Sequence, residues 1–428
     1  MAEFIKEDFL NLEKLLVYRG ILQDSLFEEL RDLIIKQYNN SESERVYYQI
    51  CHRFIKLAEE EGYNGDLWQN YLSKLIVLDK NPFSLQAELA GQVGNSLYKA
   101  VQHDIELIKG LYRYTIFDIG AVSGIGETDF MNNYLSSTIE NKAVIDLTKV
   151  EKLRDIFIKE SSQQIIVRLI DYYFSTGTGE LGFYKAFRWD ESRETLAGIL
   201  TPDSIKFDEL VGYERQKKRL IKNTEAFLNG RKANNVLLFG DSGTGKSSSI
   251  KALLNEYAYR GLRLIEITRE QGKYLPQILE LLKNRGLYFI IFMDDLSFED
   301  FETDYKYLKA VMEGGIEVKP ANVLFYATSN RRHIVKEKWA DRQEDGEIHI
   351  SDAVQEKLSL AERFGMTISY QAPDKKQFLD IVKNLAVKQN ISMEDDEMKE
   401  KALQWEKRYN GFSGRTAQQF INYLDSIN

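Results

Sequence analysis

Apolar residues change their period partway along the chain. In the first 175 residues they recur at helical spacing. Leu26, Leu30, Leu33 and Ile34 share one face, and Val101, Ile105, Ile108 and Tyr112 share another. Residues 150–174 read as a single long amphipathic helix. This predicts a mainly helical N-terminal domain over residues 1–200, suited to partner binding or regulation. Glycine-rich residues 175–182 and the stretch 198–212 around Pro202 break the pattern. Beyond them short apolar runs (NNVLLF, LRLIEIT, LYFIIFM, NVLFYAT) alternate with amphipathic stretches (SSSIKALLNEYAYR, YLPQILELLKN, YKYLKAVMEGG). Such alternation implies a parallel sheet flanked by helices, an α/β core over 201–371. After Pro373 only helical patterns remain, giving a helical lid over 372–428.

The chemistry concentrates in that core. Gly240, Asp241, Ser242, Gly243, Thr244, Gly245, Lys246 and Ser247 match the P-loop pattern in full, and Ser248 follows on the helix. An apolar strand, Val236–Phe239, leads in, and a helix leads out. Glycines let backbone N–H groups approach phosphate oxygens, and the helix N-terminus adds partial positive charge. Lys246 is placed to reach the β- and γ-phosphates, and the Ser247 hydroxyl to ligate magnesium. A second apolar run from Tyr288 ends in Asp294 and Asp295. Asp294 is then the magnesium residue, and Asp295 the candidate base for an attacking water. The next strand ends in Ala327-Thr-Ser-Asn330-Arg-Arg332, whose small polar groups suit the γ-phosphate or the water.

Two other glycine patterns compete. Gly177-Thr-Gly179-Glu-Leu-Gly182 matches G-x-G-x-x-G, and Gly120 to Gly126 resembles a dehydrogenase turn; neither lies in a clear βαβ unit, so both read as loops. His52, His103, His333 and His349 are dispersed, which argues against a zinc site.

Charge and cysteine usage narrow the partners. Net charge is −9, and residues 1–200 hold 22 basic against 31 acidic residues. An acidic front half is a poor general surface for phosphate backbones, although a local basic patch stays open. Cys51, the single cysteine, has no partner for an internal disulfide. No signal peptide or membrane-length apolar run is evident, so a cytoplasmic protein is expected.

These motifs resemble the AAA+ ATPase superfamily over about residues 203–425. The 240–247 loop is similar to its Walker A, and the run ending at Asp294–Asp295 to its Walker B. Asn330 is similar to sensor 1. Arg363 in LAERFG resembles an arginine finger, and Arg415 in GFSGRTAQQF a sensor 2. Val211 and Gly212 resemble the adenine-side segment. The resemblance implies ATP and Mg2+ between core and lid, with Arg415 acting in its own subunit. Arg363 would act on a neighbour's nucleotide, hence a homo-oligomeric ring and an unknown protein partner. Asp295 departs from the usual Glu and leaves the vigour of hydrolysis open. With AFRW, DDLSFE, LKAVMEGG and ATSNRRH, the whole chain further resembles a bacterial family known only as an ATP-binding domain of unknown function. Two other readings stand beside an ATPase: an ATP-gated switch acting by binding, and a small-molecule kinase on the same loop.

Overall fold

In the computed structural model, residues 2–36, 40–122, 128–137, 147–296, 312, 319–330, 363–408 and 411–427 are described. All of the predicted helix in 305–315 but Met312, together with Gly124, Gly126, Arg331, Arg332, His333 and His349, lies outside them. The chain forms two compact units. The first is Met1–Lys185 with Gly198–Thr201 and Asn284–Leu287; the second is the remainder.

The first unit is helical. Among the described residues it holds α1 (Ala2–Asn11), α2 (Ser25–Ile35), α3 (Asn40–Glu61), α4 (Leu67–Leu78), α5 (Pro82–Ala90), α6 (Asn95–Leu111), α7 (Ile116–Val122), α8 (Leu147–Lys159), α9 (Ser162–Thr176) and the short α10 (Gly179–Phe183). The faces read from spacing are the buried ones: Leu26, Leu30, Leu33 and Ile34 on α2, and Val101, Ile105 and Ile108 on α6. Residues 150–174 are two helices, not one. Ser161 caps α9 reciprocally with Gln164, each side chain serving the other's backbone N–H, and this starts a new helix within the apolar pattern.

Asp104 of α6 is fully buried and accepts N–H bonds from Leu16, Val17 and Tyr18 at 2.9, 2.7 and 2.9 Å. One carboxylate thus satisfies three consecutive amides that no helix serves. The 177–182 stretch, expected as a loop, is a two-residue connection followed by the start of α10, and it serves packing. Gly177 ends α9 at φ 95°, and a Cβ on Gly182 would meet the Gly177 carbonyl at 2.4 Å. The Thr178 N–H is already taken by buried Glu88, which also pairs with Arg285 at 2.7 Å.

The second unit is built on a mostly parallel sheet. Its strands are β1 (Ala186–Asp190), β2 (Thr195–Ile199), β3 (Val236–Gly240), β4 (Leu262–Glu266), β5 (Tyr288–Met293), β6 (Val323–Ser329) and β7 (Met366–Tyr370). They lie in the order β2-β1-β4-β5-β6-β3-β7. β3 pairs in parallel with β6 on one side and β7 on the other. Val236, Leu237 and Leu238 are fully buried, as strands covered on both faces require. β1, β2 and β7 go beyond the four strands read from the sequence. Each is only five residues long and lacks a long apolar run. α11 (Glu214–Leu228), α12 (Lys246–Tyr257) and α13 (Leu275–Leu282) belong with this sheet. α14 (Lys375–Lys388), α15 (Asp395–Arg408) and α16 (Gly414–Ile427) form the C-terminal bundle around Phe378, Val382, Ala402, Phe420 and Ile421. Among the described residues no helix is long and apolar enough to cross a membrane.

Replacing Asp104 by Ala removes the acceptor of one buried amide, that of Tyr18, and of two part-buried ones, those of Leu16 and Val17; a stranded buried amide costs about 1–3 kcal/mol. The expected loss is about 1–3 kcal/mol, read as a lower urea midpoint for the helical unit. An unchanged midpoint would contradict the anchoring role.

Candidate functional site

The inner strand β3, between β6 and the edge strand β7, delivers the loop. At Gly240 (φ 134°) a Cβ would lie 1.9 Å from the Tyr370 carbonyl, so only glycine lets the loop leave β3 beside β7. Gly243 (φ 72°) and Gly245 (φ 86°) turn the chain back onto α12 in left-handed conformations open to glycine. At Gly243 a Cβ would touch Arg415 Cβ and Ser413 Oγ, both at 3.0 Å. The start of α16 therefore packs directly on the loop, and the Arg415 N–H donates to the Gly243 carbonyl at 3.3 Å.

Loop and lid enclose a cleft of about 560 Å³. Residues 242–248 line it together with Asp294, Asp295, Asn330, Val211 and Arg415. These candidates come from five separate stretches of sequence, and the fold brings them to one place. Gly240 and Asp241 sit beneath. Their carbonyls accept from Lys246 Nζ at 3.1 and 2.7 Å. The Asp241 carboxylate accepts from the Ala372 N–H at 2.6 Å, tying the loop to the connection between β7 and α14.

Lys246 is 5% exposed. Burial holds its ammonium below the usual lysine range; the nearby carboxylates of Asp241, Asp295 and Asp294 oppose that shift, and Arg415 adds to it. Its third acceptor is Asn330 Oδ1 at 2.9 Å. The Asn330 amide then donates to Asp295 Oδ1 at 2.7 Å. Beside this chain, Ser247 Oγ donates to Asp294 Oδ1 at 2.6 Å.

Thr328 joins the two acids. Its hydroxyl donates to Asp294 Oδ1 at 2.5 Å and accepts the Asp295 N–H at 2.8 Å. Asp295 is thereby held at φ 53°, a left-handed conformation uncommon outside glycine. Thr328 was legible only as part of a small polar strand end. The missed signal is period: it stands two residues before Asn330, and a strand presents such pairs on one face. Lys217 is a second omission. It lines the cleft, and its ammonium holds the Leu210 carbonyl at 2.7 Å and Glu214 at 2.6 Å, bracing the segment before Val211.

Two expected residues lie elsewhere. Gly212 (φ 82°) lines an adjoining cavity with Tyr213 and Gln371, while Val211 lines both spaces and packs on the lid core. Arg363 precedes β7, half-buried and outside the cleft lining; Leu360, Ala361 and Glu362 before it lie outside the described residues.

A glycine loop on the strand beside the edge strand β7, an acidic pair ending the strand two places away and a helical lid on the loop make an α/β P-loop fold. No curated protein matches the chain. Among solved structures, the Thermotoga maritima RuvB Holliday junction branch migration motor aligns at 14% identity and TM-score 0.33. The alignment covers 51% of this chain and 71% of that one. Two single-substitution forms of that protein align at 17% and 16% identity with the same coverage and TM-score. Overlap this loose carries neither mechanism nor substrate from one protein to the other. A family signature covers residues 183–427, more than half of the chain, from just before the sheet to the last lid helix. The first unit lies almost wholly outside it, so the expected whole-chain likeness is found over the second unit. On that match the chain belongs to the family described as "Protein of unknown function (DUF815)".

Proposed function

We propose that the protein binds ATP with magnesium in this cleft, hydrolyses it to ADP and phosphate, and uses the cycle to remodel or load a protein partner. The observation that carries the reading is the hydrogen-bonded chain Lys246–Asn330–Asp295 set beside the Ser247–Asp294 pair. A buried cation, a polar relay and a carboxylate converge where the loop glycines leave the backbone bare.

The donor set fits both groups. The Ser247 hydroxyl and Asp294 carboxylate are hard oxygen ligands 2.6 Å apart, and magnesium is commonly held by one or two such groups plus phosphate oxygens and water. When bound, the ion supplies positive charge to the phosphate oxygens. Lys246 offers a buried positive charge to the same oxygens, and Arg415 adds one from the lid. Asp295, oriented by Asn330 and Thr328, takes the proton of the attacking water. The water oxygen bonds to the γ-phosphorus, the bond to the β–γ bridging oxygen breaks, and ADP carries away that electron pair. Arg363, outside its own cleft, is assigned to the neighbour's nucleotide in a homo-oligomeric ring.

A second reading is an ATP-gated switch with slow turnover. Asp295 is one methylene shorter than Glu, and its carboxylate is held by the Asn330 amide at 2.7 Å. Asp295→Glu raising turnover above wild type supports this reading; a fast wild-type enzyme removes it.

Phosphate release, measured over a protein concentration series, tests the main reading. Lys246→Ala is expected to abolish nucleotide binding. Asp295→Asn keeps ATP affinity and loses about 100-fold or more in turnover, as for a general base. Arg363→Ala keeps binding and loses turnover; equal loss of both rejects its assignment. No turnover at any concentration, with ATP still bound, leaves only the switch.

Thr328→Val removes both hydrogen bonds at nearly constant volume. It is expected to raise the magnesium concentration needed for half-maximal turnover and to lower kcat about tenfold, with Thr328→Ser restoring both. Wild-type behaviour of the valine form would show that Thr328 positions neither acid.

A further inference from the structure

The acidic balance of the chain has a local exception on α11. This helix buries Leu220, Asn223, Thr224, Phe227 and Leu228 on one side. Its other side carries Arg215, Lys218, Arg219 and Lys222, all exposed. Steps of three and four residues set them in one row. None of the four makes a hydrogen bond or ion pair with another described residue. Lys217, the remaining cation of the helix, is turned inward and paired with Glu214.

The same register continues through Glu225 and Asn229, where the turn after α12 is fastened. Tyr257 Oη donates to Glu225 at 3.0 Å, and Arg260 donates to Asn229 at 2.8 Å. Between these anchors Tyr259 stands 76% exposed. Arg231 and Lys232, also exposed, follow the helix end. Residues 214–232 hold seven basic against two acidic residues, in a chain of net charge −9. At about 1.5 Å per residue the row from Arg215 to Asn229 runs roughly 20 Å.

The composition selects the occupant. Protein interfaces are centred on apolar and aromatic anchors and depleted in lysine. Here no large apolar side chain is exposed along the helix, and Tyr259 at the end of the row is the exposed ring. A row of cations with no partner among the described residues, ending in one exposed ring, complements a phosphate backbone whose unpaired bases are free to stack. We propose that this face of α11 binds single-stranded nucleic acid, with phosphates along Arg215, Lys218, Arg219 and Lys222 and a base against Tyr259. None of these five residues lines the P-loop cleft, so the inference does not depend on ATP hydrolysis.

Fluorescence anisotropy of the full chain with labelled oligothymidylate, over a potassium chloride series, tests it. The wild type is expected to bind at low salt, with log Kobs falling linearly against log salt. The combined Arg215→Gln, Lys218→Gln, Arg219→Gln and Lys222→Gln variant should reduce that slope by about 3, at roughly 0.7 per phosphate contact on a single strand. Tyr259→Ala should weaken binding about fivefold or more and leave the slope unchanged. Neutralising the exposed lid lysines Lys375, Lys376, Lys401 and Lys407 in the same way should change neither. Absence of wild-type binding, equal loss in the lid variant, or binding to phosphatidylserine vesicles in place of the oligonucleotide overturns the proposal. Magnesium–nucleotide affinity of each variant reports that the fold is intact.

Discussion

A lysine ammonium withdrawn from water organises the second unit. Lys246 is 5% exposed, and a charge that far inside is tolerated only where acceptors surround it. Its acceptors are the carbonyls of Gly240 and Asp241 and the amide oxygen of Asn330. The first two demand the glycine turn after β3, and the third demands that β6 end beside it. The β3–β6 pairing meets that demand, with Phe239 in register with Ser329, one residue before Asn330. On the other flank β7 places the Tyr370 carbonyl against Gly240, so neither neighbour of β3 can slip by a residue without disturbing the loop.

The lid answers to the same loop. Gly243 has no room for a side chain because Ser413 and Arg415 lie against it, and Asp241 binds the backbone just before the first lid helix. The loop therefore touches the lid before its first helix and at the start of its last. Loop and lid are joined within one unit by the Arg415 N–H bond to the Gly243 carbonyl and the Ala372 N–H bond to the Asp241 carboxylate.

Much of this was legible before any coordinates. Lys246, Asp294, Asp295 and Asn330 announced themselves because apolar strands led into them, and buried parallel strands have a strong sequence signal. β7 and β1 were silent because five residues with polar members, such as Met366-Thr-Ile-Ser-Tyr370, look the same in a loop. The split between α8 and α9 was hidden because Ser161 and Gln164 interrupt an apolar pattern that otherwise continues. Thr328 shares the strand face of Asn330 by period, but its two hydrogen bonds to the acidic pair run across strands and are not written in that pattern. The cation row of α11 was masked by an overall negative charge, which averages away a local surface.

The central claim is that the cleft around Lys246 holds a magnesium nucleoside triphosphate. Isothermal titration of the unmodified protein with ATP, in magnesium and again in excess EDTA, addresses it most directly. The account predicts saturable binding that weakens markedly when the metal is removed. Binding that is absent in both conditions, or identical in both, would contradict it.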